Sequence, residues 1–254
     1  MQLYCEQSGH GRPVTLLHGW GIHGGIWDGL RPYLDGLHVS VFDLPGHGHS
    51  PLLDDMSLDG IATAITRQLP ANSLLVGWSL GGLIAQRIAA QTTAGQLRGV
   101  LCIASTPSFV RRSDWPAAME TATLDQFAGQ LSQDPATTVQ RFLALQVRGC
   151  ADERALLRTL RQTLQARPLP QTTALQAGLA MLKHSDLRSD ITRLNCPAHW
   201  LFGRRDTLVP AAVIDALTAC HPDLQHTLLD AAGHAPLLSH PRQVAEVIRR
   251  LDAE

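Results

Sequence analysis

The chain has 254 residues, of which 44% are hydrophobic and 17% charged, with a net charge of −1. That length can bury the core of one sizeable α/β domain, and that composition excludes a disordered chain. The charge balance excludes a global pull on nucleic acid or on a membrane surface, and no apolar run approaches the roughly 18 residues of a membrane span.

In chain order, the opening MQLYCEQSGHGRP has neither a basic nor an apolar stretch, so no secretory leader is expected. Short runs rich in Val, Leu and Ile recur at Val14–Leu17, Val39–Phe42, Leu74–Val76, Val100–Ile103, Trp200–Phe202 and His226–Leu229. Each has the length of a buried strand, and near-continuous apolarity predicts a sheet covered on both faces. Helical patterns fall between several of them: Leu58–Leu69, Leu83–Ala90, Ala211–Leu217 and Val244–Leu251, the last two with Pro210 and Pro241 near their first turns. Strands alternating with helices predict an α/β fold with a mostly parallel sheet.

One interval breaks that rhythm. Residues 104 to 199 separate the fourth run from the fifth, far more than a crossover requires. Inside it, Thr123 with Gln126 reads as a capping box, Asp134-Pro135 as N-cap and N1 of a helix, and Asp152-Glu153 as another start. Pro168 and Pro170 set off a fourth segment. The expected organisation is a single domain, 1–254, with a core formed by 1–107 and 189–254 and a lid of about four helices over about 108–188. The five cysteines, at 5, 102, 150, 196 and 220, are odd in number and lack Cys-x-x-Cys spacing, which fits a reducing, cytoplasmic setting and neither a disulfide framework nor a zinc ribbon.

The most specific motif is Gly77-Trp78-Ser79-Leu80-Gly81, between a strand and a helix. Chance gives about 0.09 such G-x-S-x-G motifs at this composition, and the strand–turn–helix context makes it a nucleophile elbow. Such a turn crowds the backbone, hence the glycines, and it sets Ser79 at a helix N-terminus where negative charge is favoured. A serine hydroxyl needs a base within reach. In folds with this elbow the order is Ser, Asp, His along the chain. His234, in the loop after the last apolar run, and Asp206, in Gly203-Arg204-Arg205-Asp206, both fall at strand C-terminal ends, where α/β sites assemble. Asp230, four residues before His234, is the rival orienter. His47 and His49, in DLPGHGHS, have a spacing that metal ligands can share, but no third and fourth ligand are evident, and two glycines with a proline mark a tight loop. His240, before Pro241, suits a helix start. Acyl transfer also needs two donors for the developing oxyanion. The backbone N–H of Leu80 is one; the N–H of Trp20, in His18-Gly19-Trp20-Gly21, is the other.

Taken together, HGWG (18–21), DLPGHGHS (43–50), GWSLGG (77–82), FGRRD (202–206) and AAGHAP (231–236) resemble the α/β-hydrolase superfamily along essentially the whole chain. Trp20, Trp78 and Phe142-Leu143-Ala144-Leu145-Gln146 make the chain more closely similar to the pimeloyl-acyl-carrier-protein methyl ester esterases of biotin synthesis. The resemblance implies the α/β-hydrolase fold, helices on both sheet faces, and a serine carboxylesterase that removes the methyl ester as methanol. It implies Ser79, Asp206 and His234 as the triad. Trp20, Ser79, Leu80, Phe142, Leu143, Ala144, Leu145, Gln146 and His234 would contact the substrate. Neither cofactor nor metal is expected, and neither a nucleic acid nor a membrane partner; the protein is expected to be a monomer whose partner is an acyl-carrier protein. Carrier proteins of this kind are acidic, and residues 138 to 170 hold six arginines against Asp152 and Glu153. The resemblance assigns Arg141, Arg154 and Arg158 to carrier docking, whereas one further family arginine falls at Thr137. A solvated helix face is the plainer reading of the charge pattern. The alternatives are a hydrolase of small carboxylic esters or of carbon–carbon bonds, and a ligand-binding receptor that retains the triad.

Overall fold

The structure is a computed structural model that describes residues 1–253. The six apolar runs are strands: β2 (Arg12–Leu17), β3 (Leu37–Phe42), β4 (Ser73–Trp78), β5 (Leu97–Ile103), β6 (Ala198–Gly203) and β7 (Gln225–Leu229). A further strand, β1 (Cys5–Ser8), is half-buried and carries no apolar run, so only pairing reveals it. The seven strands lie in the order β1-β3-β2-β4-β5-β6-β7. β1 runs antiparallel to β3, and every other pair is parallel. All six residues of β4 are buried. Successive side chains point to opposite faces, so both faces of the central strand are covered, as its unbroken apolarity requires.

Between β3 and β6 the chain forms α1 (Leu58–Thr66), α2 (Leu80–Gln91), α3 (Thr121–Gln133), α4 (Pro135–Gln146), α5 (Glu153–Gln165), α6 (Thr172–His184) and the single turn α7 (Arg188–Ile191). After β6 come α8 (Val213–Cys220), the short α9 (Pro236–Ser239) and α10 (Pro241–Ala253). α2 packs on β4 and β5, and α10 on β5. The helices α3 to α6 occupy the long interval before β6. Asp134 caps α4 by accepting from Thr137 N–H at 3.0 Å, and Asp152 caps α5 by accepting from Ala155 N–H at 3.2 Å. The Thr123–Gln126 box is not used. α3 begins at Thr121, three residues before the start that an N-cap at Thr123 would give, with no side-chain cap, and buries Leu124, Phe127 and Leu131.

Several contacts tie the inserted helices to the core, among them a 2.6 Å hydrogen bond between His23 Nε2 and the Thr163 carbonyl. α6 lies so close to the loop after β2 that a Cβ on Gly178 would sit 2.5 Å from the Trp20 indole and 3.2 Å from the Leu80 side chain. Arg167, just beyond α5, reaches inward to Asp43 Oδ1 (2.9 Å) and to the Glu6 carboxylate (2.5 Å). No helix among the described residues is long and apolar enough to cross a membrane.

Candidate active site

β2, β4, β6 and β7 all deliver loops to the same end of the sheet. β4 ends at Trp78, and α2 starts at Leu80, leaving Ser79 alone in the turn with φ 54° and ψ −117°. A left-handed φ on a non-glycine residue costs about 1–3 kcal/mol and survives only where the surroundings enforce it. Here the enforcement is steric. A Cβ on Gly77 would lie 2.2 Å from the Gly81 carbonyl oxygen, and one on Gly81 would lie 2.4 Å from that of Leu17. The Ser79 N–H donates to the Ile103 carbonyl at 2.9 Å, fixing the turn to β5.

Asp206 and His234, though 28 residues apart, meet at this serine. His234 Nε2 lies 2.9 Å from Ser79 Oγ, and its Nδ1 lies 2.8 Å from Asp206 Oδ2. The other carboxylate oxygen of Asp206 accepts from Leu208 N–H (2.8 Å) and Val209 N–H (2.9 Å), which locks the carboxylate plane. Both ionisable side chains are essentially fully buried. With the carboxylate accepting from Nδ1–H, Nε2 carries the lone pair that faces the serine hydroxyl, the arrangement needed to take its proton. The Trp78 indole donates to the His234 carbonyl at 2.7 Å, so the elbow also anchors the loop that carries the base. Asp230 lies elsewhere: its side chain is 79% exposed and pairs with Arg204 at 2.7 Å.

Leu80 is the first residue of α2, so its N–H has no carbonyl one turn earlier to bond. Among the described residues no backbone carbonyl accepts from the Trp20 N–H. The Trp20 indole instead donates to the Leu175 carbonyl on α6 at 2.8 Å and meets the Phe142 ring edge-on at 4.7 Å. The Phe142–Gln146 stretch is helical, and a helix cannot turn five consecutive side chains to one side. Phe142, Leu143 and Gln146 are buried, Leu145 is half-buried, and Ala144 is exposed, so the five expected contact residues do not share one environment. Gln146 is fully buried, yet neither of its amide atoms has a hydrogen-bond partner among the described residues. A buried amide without a protein partner must be satisfied by something else, a water or a bound ligand.

The histidines of the first loops are structural partners of this site. His18 Nδ1 donates to the Gly19 carbonyl at 2.8 Å, and its Nε2 accepts from Leu44 N–H at 2.8 Å. The Gly19 carbonyl belongs to the same planar peptide group as the Trp20 N–H, so His18 helps to aim that N–H. The His47 ring lies tilted against that of His18, centroids 5.2 Å apart, and donates from Nδ1 to the Pro45 carbonyl. Among the described residues no three His, Cys, Asp or Glu side chains converge as metal ligands. Burial holds the His18 ring well below its ordinary value and His47 at about 4. Both rings regain an ordinary value near 6.5 on unfolding, so the unfolded chain binds more protons below that pH. Stability is therefore expected to be complete above about pH 6.5 and to fall as pH drops toward 4. The thermal midpoint measured across that range reports it, and His47→Gln should flatten the slope.

The inserted helices present Arg141, Arg148, Arg154, Arg158 and Arg161 at the surface. Arg161 bonds Gln140 (3.0 Å) and Arg141 bonds Gln130 (3.2 Å), whereas no described carboxylate lies within ion-pair distance of Arg154 or Arg158. Arg167 does not belong with them, because its guanidinium turns to Asp43 and Glu6. Charge counted along the sequence could not separate this inward arginine from the outward ones.

Residues 16–247 match the alpha/beta hydrolase family. The chain is 44% identical, over all of its own length and 99% of the other's, to a pimeloyl-[acyl-carrier protein] methyl ester esterase of Methylococcus capsulatus. It is 43% and 45% identical, over 99% of both chains in each case, to proteins of the same name from Xylella fastidiosa and Xanthomonas campestris. Among solved structures, an esterase from Exiguobacterium antarcticum superposes with a TM-score of 0.88 at 18% identity, covering 98% of this chain and 95% of that one. A bromoperoxidase from Bacillus anthracis superposes at 0.87 with 21% identity, covering 99% and 95%. At these identities the two structures speak to the fold.

Proposed function

Since the chain belongs to the α/β-hydrolase family and, within it, to the pimeloyl-[acyl-carrier protein] methyl ester esterases, we propose that it is a serine carboxylesterase hydrolysing the methyl ester of pimeloyl-acyl-carrier protein to the free acid and methanol, a step of biotin synthesis. The observation that carries the reading is the buried Asp206–His234–Ser79 relay in a chain whose relatives match it end to end. Ser79 Oγ attacks the ester carbonyl while His234 Nε2 takes its proton, and Asp206 holds the imidazole and steadies its charge. The N–H groups of Leu80 and Trp20 bind the oxyanion. His234 then protonates the departing methoxide, and later takes a proton from the water that releases the acyl group.

In this reading α3 to α6 form the lid. Phe142 and Leu143 offer apolar surface to the acyl chain beside Trp20, and the unpaired amide of Gln146 offers a polar contact. Leu145, half-buried, stands at the edge of this surface. The protein acts as a cytoplasmic monomer, in keeping with an odd number of cysteines that lack Cys-x-x-Cys spacing. The direct test is mass spectrometry of methyl pimeloyl-carrier protein with catalytic amounts of the enzyme. Repeated conversion to the free acid supports the reading. Binding without turnover would instead indicate a receptor, and turnover of small esters alone a general esterase.

Arg141, Arg154 and Arg158 are assigned to the carrier, since exposed guanidinium groups without carboxylate partners attract an acidic protein. The double reversal Arg154→Glu with Arg158→Glu is expected to raise KM for the carrier-bound ester about three- to tenfold at low salt, as two exposed pairs lose about 0.3–0.7 kcal/mol each. The effect should shrink as salt is added. Hydrolysis of a small neutral ester should stay within twofold; equal loss on both substrates would mean a misfolded lid.

A further inference from the structure

The Ser79 carbonyl is the other end of the peptide group whose N–H is the Leu80 oxyanion donor. Because that group is planar, whatever holds the carbonyl oxygen also sets the direction of the N–H. Three donors converge on this oxygen: Gly82 N–H (2.9 Å), Leu83 N–H (3.1 Å) and the Ser105 hydroxyl (2.9 Å). The first two belong to α2 and would move with it. Ser105 alone comes from another element, the loop leaving β5, and it is fully buried.

That loop is shaped to deliver it. Ala104 takes a left-handed φ of 46°, and its N–H is fixed to the Leu201 carbonyl at 2.8 Å. A Cβ on Gly82 would fall 2.4 Å from the Ser105 Cβ, so the second glycine of the Gly81-Gly82 pair leaves room for this side chain. Gln86, also fully buried, donates from Nε2 to Ser105 Oγ (3.3 Å) and to the Gly82 carbonyl (3.1 Å). With one lone pair of Ser105 so occupied, its single proton is directed to the Ser79 carbonyl.

We infer that Ser105 is a positioning residue for ester hydrolysis, clamping the Ser79–Leu80 peptide group to β5 so that the Leu80 N–H points at the forming oxyanion, with Gln86 orienting its hydroxyl. The inference rests on the esterase reading above. It also carries an electronic consequence: a hydrogen bond accepted by an amide carbonyl strengthens the N–H donor of the same amide. This matters more as charge develops on the substrate oxygen, so the effect belongs to the transition state.

The test is Ser105→Ala on a small activated ester, p-nitrophenyl butyrate. kcat is expected to fall about tenfold with KM within twofold of wild type. A boronic acid, which forms a tetrahedral adduct with a serine, should bind more weakly by the same factor, while butyrate as product should bind unchanged. Gln86→Leu should show a smaller loss of the same kind. If Ser105→Ala does not fold, Ser105→Cys, with its weak thiol donor, should show the same split between kcat and KM. Unchanged kcat overturns the inference, as does a parallel loss of kcat, KM and product binding, which would mark a distorted pocket. The two readings can fail separately. An inactive Ser79→Ala beside a fully active Ser105→Ala removes the clamp alone. A wild type that cleaves p-nitrophenyl butyrate but not the carrier ester removes the carrier substrate alone.

Discussion

Ser79→Ala is expected to reduce turnover of both the carrier ester and small esters by about 10⁴- to 10⁶-fold, the range in which loss of a serine nucleophile leaves only binding and oxyanion stabilisation. The hydroxyl removed is the one that His234 Nε2 faces at 2.9 Å. The fold should persist, because the side chain is small and an alanine at φ 54° meets the same backbone restraint as the serine. The thermal midpoint should therefore stay within a few degrees while activity vanishes. A fluorophosphonate probe gives an independent readout: it should label wild type at Ser79 and leave the alanine variant unmodified. Labelling at another serine, or appreciable activity in Ser79→Ala, would overturn the assignment of the nucleophile.

Asp206→Asn is expected to lower kcat by about 10⁴-fold, as the corresponding change does in a serine protease where it selects the wrong imidazole tautomer. Here one carboxylate oxygen accepts from His234 Nδ1 and the other from two backbone N–H groups. An asparagine has only one acceptor oxygen. If that oxygen stays with the two backbone donors, the NH₂ group faces Nδ1 and drives the ring proton to Nε2, where it cannot take the proton of Ser79. If the amide flips, its NH₂ opposes the backbone N–H groups of Leu208 and Val209. Asp230→Asn should leave kcat within twofold, since that carboxylate is solvated and paired with Arg204. Measuring both variants on one ester decides between the two aspartates. The opposite ranking would place Asp230 in the relay.

Much of this was written locally in the sequence. The apolar runs mark six of the seven strands; the five inner ones, β2 to β6, are apolar because both of their faces are covered, whereas β7 is an exposed edge marked only by its last residues, and Asp134 and Asp152 mark helix starts because capping needs only neighbouring residues. The elbow is legible for the same reason: the glycines at 77 and 81 answer clashes within one turn and with the strand beside it. Chain order and strand ends likewise singled out Ser79, Asp206 and His234 as residues that could meet. What the sequence could not decide is anything that depends on direction between distant segments. β1 is visible only through its pairing with β3, because an edge strand needs no apolar run. Asp230 stayed a rival to Asp206 until one was seen to face Arg204 and the other His234. Arg167 counted with the outward arginines until its guanidinium was found beside Asp43, and Ala144 counted with Phe142 until the helix turned it to solvent. Ser105 carried no motif at all. Its relation to the Ser79 carbonyl exists because β4 and β5 lie side by side, a juxtaposition that long-range packing creates and local spacing does not encode.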